Sequence, residues 1–294
     1  MSATHLHLDC PSGISGDMFC ASLLDLGVPL SLFQEAVTSL HLPEKVLLQT
    51  ERSIRGGLAG TRFLVEEPGH HHHPHDHGHH HGRNWSEIRD LLKKSKLAPP
   101  VRDSALAMFH RVAEAEAKLH GVPVETVHFH EVGAVDSIVD LVCAAAGVHH
   151  LKVTEITATT PVDGTGTIHC AHGKFPLPAP ATAEILRGIS IRQIDVPHEL
   201  TTPTGAAILA QLVKKFGPLD SFAAEKIGYG LGTRDLPDRP NVLRAFLGQS
   251  STSHGRGDLV VEIRTHLDDI TGEHLAHAID RLMAEGALDA AASP

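Results

Sequence analysis

The clearest indication of the fold is the stretch Thr4-His-Leu-His-Leu-Asp-Cys-Pro-Ser-Gly-Ile-Ser-Gly-Asp-Met18. Polar and apolar residues alternate over residues 3–9, as they do in a strand with one buried face. A glycine-bearing turn follows, and Asp17 is placed to cap a helix that runs to about Leu26. A strand joined through a tight turn to a helix indicates a domain that mixes strands with helices.

The same mixture continues along the chain. Further strands are predicted where short apolar runs are bounded by turn residues, over Val46–Thr50, Thr61–Glu66, Glu155–Thr159, Phe222–Tyr229 and Val242–Leu247. Helices are predicted where apolar residues recur with helical spacing, over Trp85–Lys94, Val101–His120, Val135–His150 and Thr202–Lys215. The fold class is therefore α+β, with a mixed α/β main domain.

The domain organisation follows from a polar stretch near the carboxyl terminus. Residues 249–257 are rich in Ser and Gly and are predicted to form a linker after a main domain over residues 1–248. Residues 258–294 contain one predicted strand, Leu259–Thr265, and one predicted helix, Gly272–Glu285. A lone strand and helix bury too little surface to fold alone. Either they dock on the main domain, or they begin a larger domain.

The composition limits which binding partners and which cellular compartment are expected for the protein. The chain of 294 residues has 25 Lys and Arg against 35 Asp and Glu, for a net charge of −10. This balance argues against nonspecific binding to nucleic acid or to an anionic membrane, because both attract positive patches. The amino terminus has no signal-peptide pattern, and no apolar stretch is long enough for a membrane span. We therefore expect a soluble, cytoplasmic protein.

The most conspicuous motif is an internal histidine tract within a predicted disordered loop over residues 70–82. Its nine histidines are His70, His71, His72, His73, His75, His77, His79, His80 and His81. The tract has no hydrophobic period, and neutral imidazole is a favoured ligand of nickel, zinc and copper. An expression tag or a low-complexity loop without a role are the alternatives. The internal position argues against a tag, and we expect metal binding.

A second constellation is His128-Phe-His130-Glu131-Val-Gly-Ala-Val-Asp136-Ser-Ile-Val-Asp140. On an extended segment the two histidines point to one side, and on the following helix the two aspartates share a face. We therefore expect the histidines to bind metal and the three acidic residues, with Asp17, to be catalytic groups. Alternatively, Asp136 caps the helix and the histidines form local hydrogen bonds.

Other segments offer donors for a metal or an anion. His169 and His172 flank Cys170 beside a Gly-rich loop and are weaker candidates for metal ligands. Segments that lead into helix amino termini, or that carry guanidinium groups beside a Gly-rich loop, are suited to hold a phosphate or a carboxylate. The cofactor-binding candidates in these segments are Ser12, Ser15, Thr202, Thr204, Arg234 and Arg239. Ordinary helix capping and a surface salt-bridge turn remain the alternatives.

Taken together, these motifs resemble the LarC family, the nickel-insertion proteins of nickel-pincer cofactor biosynthesis. The resemblance rests on several long segments in a fixed order. They are Leu8–Met18, the histidine tract with Gly82–Ile88, His128–Asp140, Gly164–Gly173, Glu199–Gly205 and Asp238–Asn241. Their number and order make the resemblance specific, which one Gly-rich loop alone would not.

The resemblance implies an activity. LarC-type proteins insert nickel into pyridinium-3,5-bisthiocarboxylic acid mononucleotide to form the cofactor of lactate racemase and its relatives. The reaction depends on CTP with a divalent metal, Mg or Mn. The resemblance therefore implies a nickel chelatase or cyclometallase of the lyase class. In this setting the histidine tract would store or relay nickel to the site around the His128–Asp140 segment.

The resemblance also implies a longer carboxyl-terminal domain. Residues 262–273 resemble the opening of a domain that is associated with CTP, and only the first strand and helix of its α/β plait lie within this sequence. A fragment, a frameshifted product and one half of a split protein are all consistent with this expectation. The implied partners are the mononucleotide substrate, an apo lactate racemase-type enzyme and a chain that supplies the rest of the domain. A homo-oligomer is a further expectation.

Two other functions remain open at this point. A nickel store or metallochaperone without catalysis would need only the histidine tract. A metal-dependent phosphohydrolase would use the aspartates and histidines with a simple phosphate ester.

Overall fold

The computed structural model describes residues 4–68, 83–129, 132–170, 173–220, 222–250 and 261–292. The chain divides into two compact units, Met1–Thr252 and Ser253–Pro294. The predicted disordered loop over residues 70–82 lies outside the described residues, as do His130, Glu131 and His172.

The first unit contains the following elements. Its strands are β1 (Thr4–Asp9), β2 (Leu47–Arg55), β3 (Leu58–Glu66), β4 (Glu155–Ala158), β5 (Val162–Asp163), β6 (Thr167–Cys170), β7 (Gly173–Pro176), β8 (Arg192–Gln193), β9 (Lys215–Phe216), β10 (Phe222–Leu231) and β11 (Val242–Ser250). Its helices are α1 (Gly16–Asp25), α2 (Leu30–Thr38), α3 (Trp85–Lys94), α4 (Pro99–His120), α5 (Val135–His150), α6 (Pro180–Ile185) and α7 (Pro203–Leu212), with a short 3-10 helix at Val124–Thr126.

Seven of these strands form one mixed sheet in the order β2-β3-β10-β11-β1-β4-β9. Strand β1 lies inside the sheet, antiparallel to β11 and parallel to β4. Two small sheets pair β5 with β8 and β6 with β7. The mixture of pairings and of helices and strands is consistent with the predicted α+β class.

Apolar side chains alternate along β1, and they show which face of the sheet the helices cover. Leu6 and Leu8 have no exposed surface and belong to the hydrophobic core with the helices. Helix α1 lies directly on the sheet because Gly228 and Gly230 of β10 have no side chain. A Cβ atom at Gly230 would overlap the carbonyl oxygen of Met18 in α1. The turn that follows β1 is therefore held at the end of the sheet.

Helix α5 packs inside this helix layer. Its bounds and those of α3 are as predicted from the sequence. Residues 137–147 of α5 are all buried, and they include one carboxylate, Asp140. The predicted helix over Thr202–Lys215 is shorter in the structure, because Lys215 and Phe216 form β9 beside β4.

Two predictions near the carboxyl terminus are wrong. Gln249 and Ser250 are the last residues of β11, paired with Thr4 of β1 and Phe222 of β10, and do not begin a linker. No strand forms in the described part of Leu259–Thr265, residues 261–265. A strand needs a neighbour for its backbone N–H and C=O groups, and the described residues of the second unit contain no other strand.

The described part of the second unit consists of irregular chain and helix α8 (Gly272–Ala284), none of whose residues is buried. Thr271 caps α8 by accepting a hydrogen bond from the His274 N–H at 3.3 Å. The α/β plait expected here stays a prediction. Among the helices in the described part of the chain, none combines the length and the apolar character that a bilayer span requires.

Candidate functional site

The amino-terminal halves of helices α1, α5 and α7 meet at one place. The N–H of Gly16 in α1 donates a hydrogen bond to Oγ1 of Thr204 in α7, at 3.1 Å. The Cys20 thiol of α1 donates to the Asp140 carbonyl oxygen of α5, at 3.3 Å. A Cβ atom at Gly16 would overlap the Asp140 side chain. Glycine at position 16 therefore lets the Asp140 carboxyl reach the amino terminus of α1.

The turn before α1 is fixed to the segment before α7. The Ile14 N–H donates to the Leu200 carbonyl at 3.0 Å, and the Thr202 N–H donates to the Ile14 carbonyl at 3.1 Å. Gly13 has a φ of 77°, a left-handed conformation that favours glycine. A Cβ atom there would also overlap the Leu200 carbonyl oxygen. These contacts hold the two segments in one arrangement.

Three of the predicted catalytic carboxylates lie at this junction, and they differ in how deeply they are buried. Asp136 is exposed, Asp17 is half-buried and Asp140 is 8% exposed. Asp17 Oδ1 accepts hydrogen bonds from the Ser15 hydroxyl and, at 2.9 Å, from the Met18 N–H. Asp140 Oδ1 is buried and has no hydrogen-bond partner among the described residues. An unpartnered buried carboxylate oxygen is costly, and a bound cation or proton would satisfy it.

Burial and the charges of neighbouring carboxylates raise the pKa of two of these groups, Asp17 and Asp140. Burial raises the pKa of Asp17, and the charge of Asp136 raises it further, against the hydrogen bonds from Ser15 and Met18. Burial raises the pKa of Asp140 well above its usual range, and the charges of Asp17 and Asp136 add to the effect. The inner carboxyl therefore holds a proton more tightly than an ordinary aspartate and, once ionised, is a stronger base.

Hydroxyl groups form the other edge of the site. Thr202 is the N-cap of α7, and its Oγ1 accepts from the Gly205 N–H at 3.3 Å. The hydroxyls of Thr202 and Thr204 lie 3.0 Å apart and form a hydrogen bond. Helix amino termini with adjacent hydroxyls attract anions, because their N–H groups carry partial positive charge. The site thus places carboxylates beside an edge suited to a phosphate.

The remaining predicted anion-binding residues make other contacts. The Ser12 hydroxyl is buried and donates to the Pro240 carbonyl at 2.8 Å. Arg239 forms an ion pair with its neighbour Asp238, and Arg234 is exposed. Among the described residues, no hydrogen bond or ion pair joins either arginine to Thr202. Their role in binding the substrate stays a prediction.

The histidines are placed differently from the carboxylates. His128 is exposed, and its Nδ1 lies 2.8 Å from Oδ1 of Asn84, the N-cap of α3. The Phe129 N–H donates to the Arg83 carbonyl at 3.2 Å, so the chain just after the histidine tract is joined to the segment before α5. His169 lies exposed on β6. In the described parts of the chain, no three His, Cys, Asp or Glu side chains are placed to hold one metal ion.

One residue of this region was missed from the sequence. Asp163 at the end of β5 is completely buried, and its Oδ1 accepts hydrogen bonds from the Leu200 and Thr201 N–H groups that precede α7. Burial raises its pKa. The only signal in the sequence was an acidic residue directly before Gly164-Thr-Gly166.

The described residues of the second unit do not by themselves fit a nucleoside triphosphate. None of them is buried, and two of the basic side chains face acidic neighbours. Arg264 pairs with Glu262 at 2.7 Å and Arg281 with Glu285 at 3.4 Å. The expected use of CTP with Mg or Mn therefore has no site in these residues.

The fold and the site define an α+β protein with one buried carboxylate, two more exposed ones beside it, and an edge of amides and hydroxyls suited to an anion. The model of the nickel insertion protein family matches residues 6–294, and the chain belongs to this family. The resemblance noted in the sequence is thus confirmed.

Individual relatives agree with the family. A protein from Geobacter sulfurreducens is 46% identical over 290 residues, which cover 98% of this chain and 72% of that protein. A protein from Geobacillus kaustophilus is 44% identical over 302 residues, with the same two coverages. The latter is named pyridinium-3,5-bisthiocarboxylic acid mononucleotide nickel insertion protein. No solved structure matches this chain.

Proposed function

We propose that this chain inserts nickel into pyridinium-3,5-bisthiocarboxylic acid mononucleotide, the compound in the name of the Geobacillus relative. The observation that carries the proposal is the junction of α1, α5 and α7. There, carboxylates of graded burial lie beside hydroxyls and helix amino termini. A mononucleotide and a divalent cation need these two kinds of group together.

The phosphate of the mononucleotide is held at the hydroxyl edge. Thr202 and Thr204 supply hydroxyls, and the first turns of α1 and α7 supply partial positive charge. Ser15 is the N-cap residue of α1, and its hydroxyl donates to Asp17. The planar ring of the substrate then lies toward the carboxylates.

The carboxylates take part in metal transfer and proton transfer. Positions 3 and 5 of the pyridinium ring flank carbon 4, so nickel that is bound by both sulfurs lies against that carbon. The C–H bond at carbon 4 breaks, its electron pair forms the nickel–carbon bond, and the proton leaves to a carboxylate. No oxidant or reductant is needed. Without nickel the Asp140 carboxyl holds a proton, because burial raises its pKa. Once the incoming nickel has displaced that proton to solvent, the ionised carboxylate is a strong base for the proton from carbon 4. Asp17, Asp136 and Glu131 complete the acidic set.

Nickel reaches this site from the histidines. The tract over residues 70–81 captures the metal, and His128, His130, His169 and His172 are further ligands on the way. The supporting contact is the hydrogen bond between Phe129 and Arg83, which joins the chain just after the tract to the segment that leads into α5.

The direct test mixes the purified protein with the mononucleotide, NiCl2, CTP and MgCl2, and follows activation of an apo lactate racemase. Mass spectrometry checks that the product has gained nickel and lost a proton. Asp25→Asn is the matched control for substitutions of the site carboxylates, because Asp25 is the last residue of α1, at the other end from Asp17. No product, even when the carboxyl-terminal region of a longer relative is added, rejects the proposal.

The same assay separates the other functions. A nickel store would bind the metal and form no product, and deletion of residues 70–81 would abolish that binding. An insertase without the tract keeps its activity when nickel is abundant. A phosphohydrolase would release phosphate from simple esters in a metal-dependent way. CTP dependence is tested by omitting CTP, and Mn is tested in place of Mg.

Further expectations about the setting stay predictions. They are a cytoplasmic location, assembly into a homo-oligomer, and transfer of the product to a lactate racemase-type enzyme.

A further inference from the structure

Asp163 accepts an unusual set of hydrogen bonds for a side chain without solvent contact. Its Oδ1 accepts from the Gly164 and Leu200 N–H groups, each at 2.8 Å, and from the Thr201 N–H at 3.3 Å. Its Oδ2 is buried and has no hydrogen-bond partner in the described part of the chain. Such an arrangement is costly, which points to a role beyond stabilising the fold.

The contacts of Asp163 lead directly to the hydroxyl edge of the site. Leu200 is bound on both sides: its N–H donates to Asp163, and its carbonyl accepts from the Ile14 N–H at 3.0 Å. The Thr201 hydroxyl donates to the Val162 carbonyl at 2.7 Å. The two residues before Thr202 are thus fixed to β5 through their backbone N–H groups and one side chain.

We propose that Asp163 is a positioning residue, which sets the place of Thr202 and Thr204 and of the turn at Ile14 for binding the substrate phosphate. The inference rests on the proposed function and deepens it, since it assigns a cause for the geometry of the phosphate edge. A carboxylate oxygen serves this role because it accepts several N–H bonds and brings no donor of its own. Asp163 touches neither nickel nor the ring.

Three variants separate positioning from general stability. Asp163→Ala removes the acceptor, and Asp163→Asn keeps the Oδ1 acceptor. Asp25→Ala is the control, because Asp25 also binds a backbone N–H, that of Tyr229 at 2.9 Å, at the opposite end of α1. The measurements are kcat and KM for the mononucleotide, thermal melting, and hydrogen–deuterium exchange of residues 12–17 and 199–205.

We expect Asp163→Ala to raise KM about tenfold with a much smaller change in kcat, because weaker placement of the phosphate edge mainly affects binding. Exchange in residues 12–17 and 199–205 becomes faster. Asp163→Asn stays closer to the wild type than Asp163→Ala in both measurements. Asp25→Ala lowers the melting temperature and leaves KM and these two exchange rates unchanged. If Asp163→Ala does not fold, Asp163→Ser replaces it, since its side chain is too short to reach all three N–H groups.

The inference is overturned if Asp163→Ala changes KM and the local exchange no more than Asp25→Ala does, or if Asp163→Asn is as impaired as Asp163→Ala. A wild-type protein that forms no nickel product rejects the proposed function instead. In that case the exchange of residues 12–17 and 199–205 still shows whether Asp163 holds the segment before α7.

Discussion

Asp140 of helix α5 and Asp280 of helix α8 lie in opposite surroundings. Most residues of α5 are buried, whereas none of α8 is. Asp140 of α5 is 8% exposed, while Asp280 of α8 is exposed to solvent. Water stabilises an exposed carboxylate, whereas a buried one must find a proton, a cation or N–H groups. The surroundings, and not the residue type, make Asp140 a candidate for chemistry.

The largest expected effect concerns the contribution of each helix to stability. Ile138 in α5 has no exposed surface, whereas Leu282 in α8 is 56% exposed. Ile138→Ala should lower the free energy of unfolding by about 2–5 kcal/mol, because it removes buried methyl groups and leaves a cavity. Leu282→Ala should change it by less than about 0.5 kcal/mol. Urea denaturation measures both, and similar losses would contradict the difference in burial.

The next effect concerns activity. Asp140→Asn should slow nickel insertion about 100-fold, equivalent to about 2.7 kcal/mol, because the amide neither accepts the proton nor offers a charge to nickel. Asp280→Asn should leave the rate within about twofold, because Asp280 is exposed on a helix that has no buried residue. The rate is followed by activation of apo lactate racemase. Full activity of Asp140→Asn would remove Asp140 from the mechanism.

A smaller effect is the dependence of stability on pH. Burial raises the pKa of Asp140, so the folded protein keeps a proton that the unfolded chain loses above about pH 4. The folded state then binds more protons, and stability falls as pH rises toward the folded pKa, by about 1.4 kcal/mol per pH unit. Asn does not titrate. The melting temperature of Asp140→Asn relative to wild type should therefore increase from pH 5 to pH 8.

The matched control for this titration is Asp280→Asn, whose melting temperature relative to wild type should not change with pH. A constant difference for Asp140→Asn over the same range would mean that Asp140 is ionised throughout.

The smallest expected effect is that of removing the N-cap residue from α7 or from α8. Thr202 caps α7 and Thr271 caps α8, and each Oγ1 accepts a backbone N–H at 3.3 Å. Replacing either by Ala removes one capping bond, which typically contributes about 1 kcal/mol to its helix. Only Thr202→Ala should also weaken binding of the mononucleotide, measured by calorimetric titration. Equal binding by both variants would remove Thr202 from the phosphate edge.

The sequence predicted best those elements whose pattern is local. The bounds of α3 and α5 were predicted correctly, because the apolar spacing and the length of each agree. Helix α3 also has a local start signal, since the Glu87 side chain accepts a hydrogen bond from the Asn84 N–H. The strand at Leu259–Thr265 has a suitable alternation, but strands also need partners, and a local pattern does not supply them. Strand β9 was missed for the converse reason: its two residues are strand only because β4 lies beside them.

The sequence indicated which types of residue form the site, but it did not indicate which contacts bring them together. Asp17, Asp136 and Asp140 stood out as carboxylates at the starts of two predicted helices, and the packing of α1 on α5 brings them together. Asp163 has partners at Leu200 and Thr201, 37 and 38 residues away, so no short motif contains the contact. The hydroxyl of Ser12 was placed in the right turn, but it faces Pro240.

The position of β1 inside the sheet has a consequence for how the protein folds during its synthesis on the ribosome. Asp9 at the end of β1 is bound to Arg244 of β11, 235 residues later in the chain. Strand β1 must therefore wait until almost all the rest of the first unit has been synthesised before its antiparallel neighbour exists. Until then its apolar side chains, and the open edge beside them, depend on α1, β4 or a chaperone for cover. Such distant pairing predicts slow folding with a late closing step.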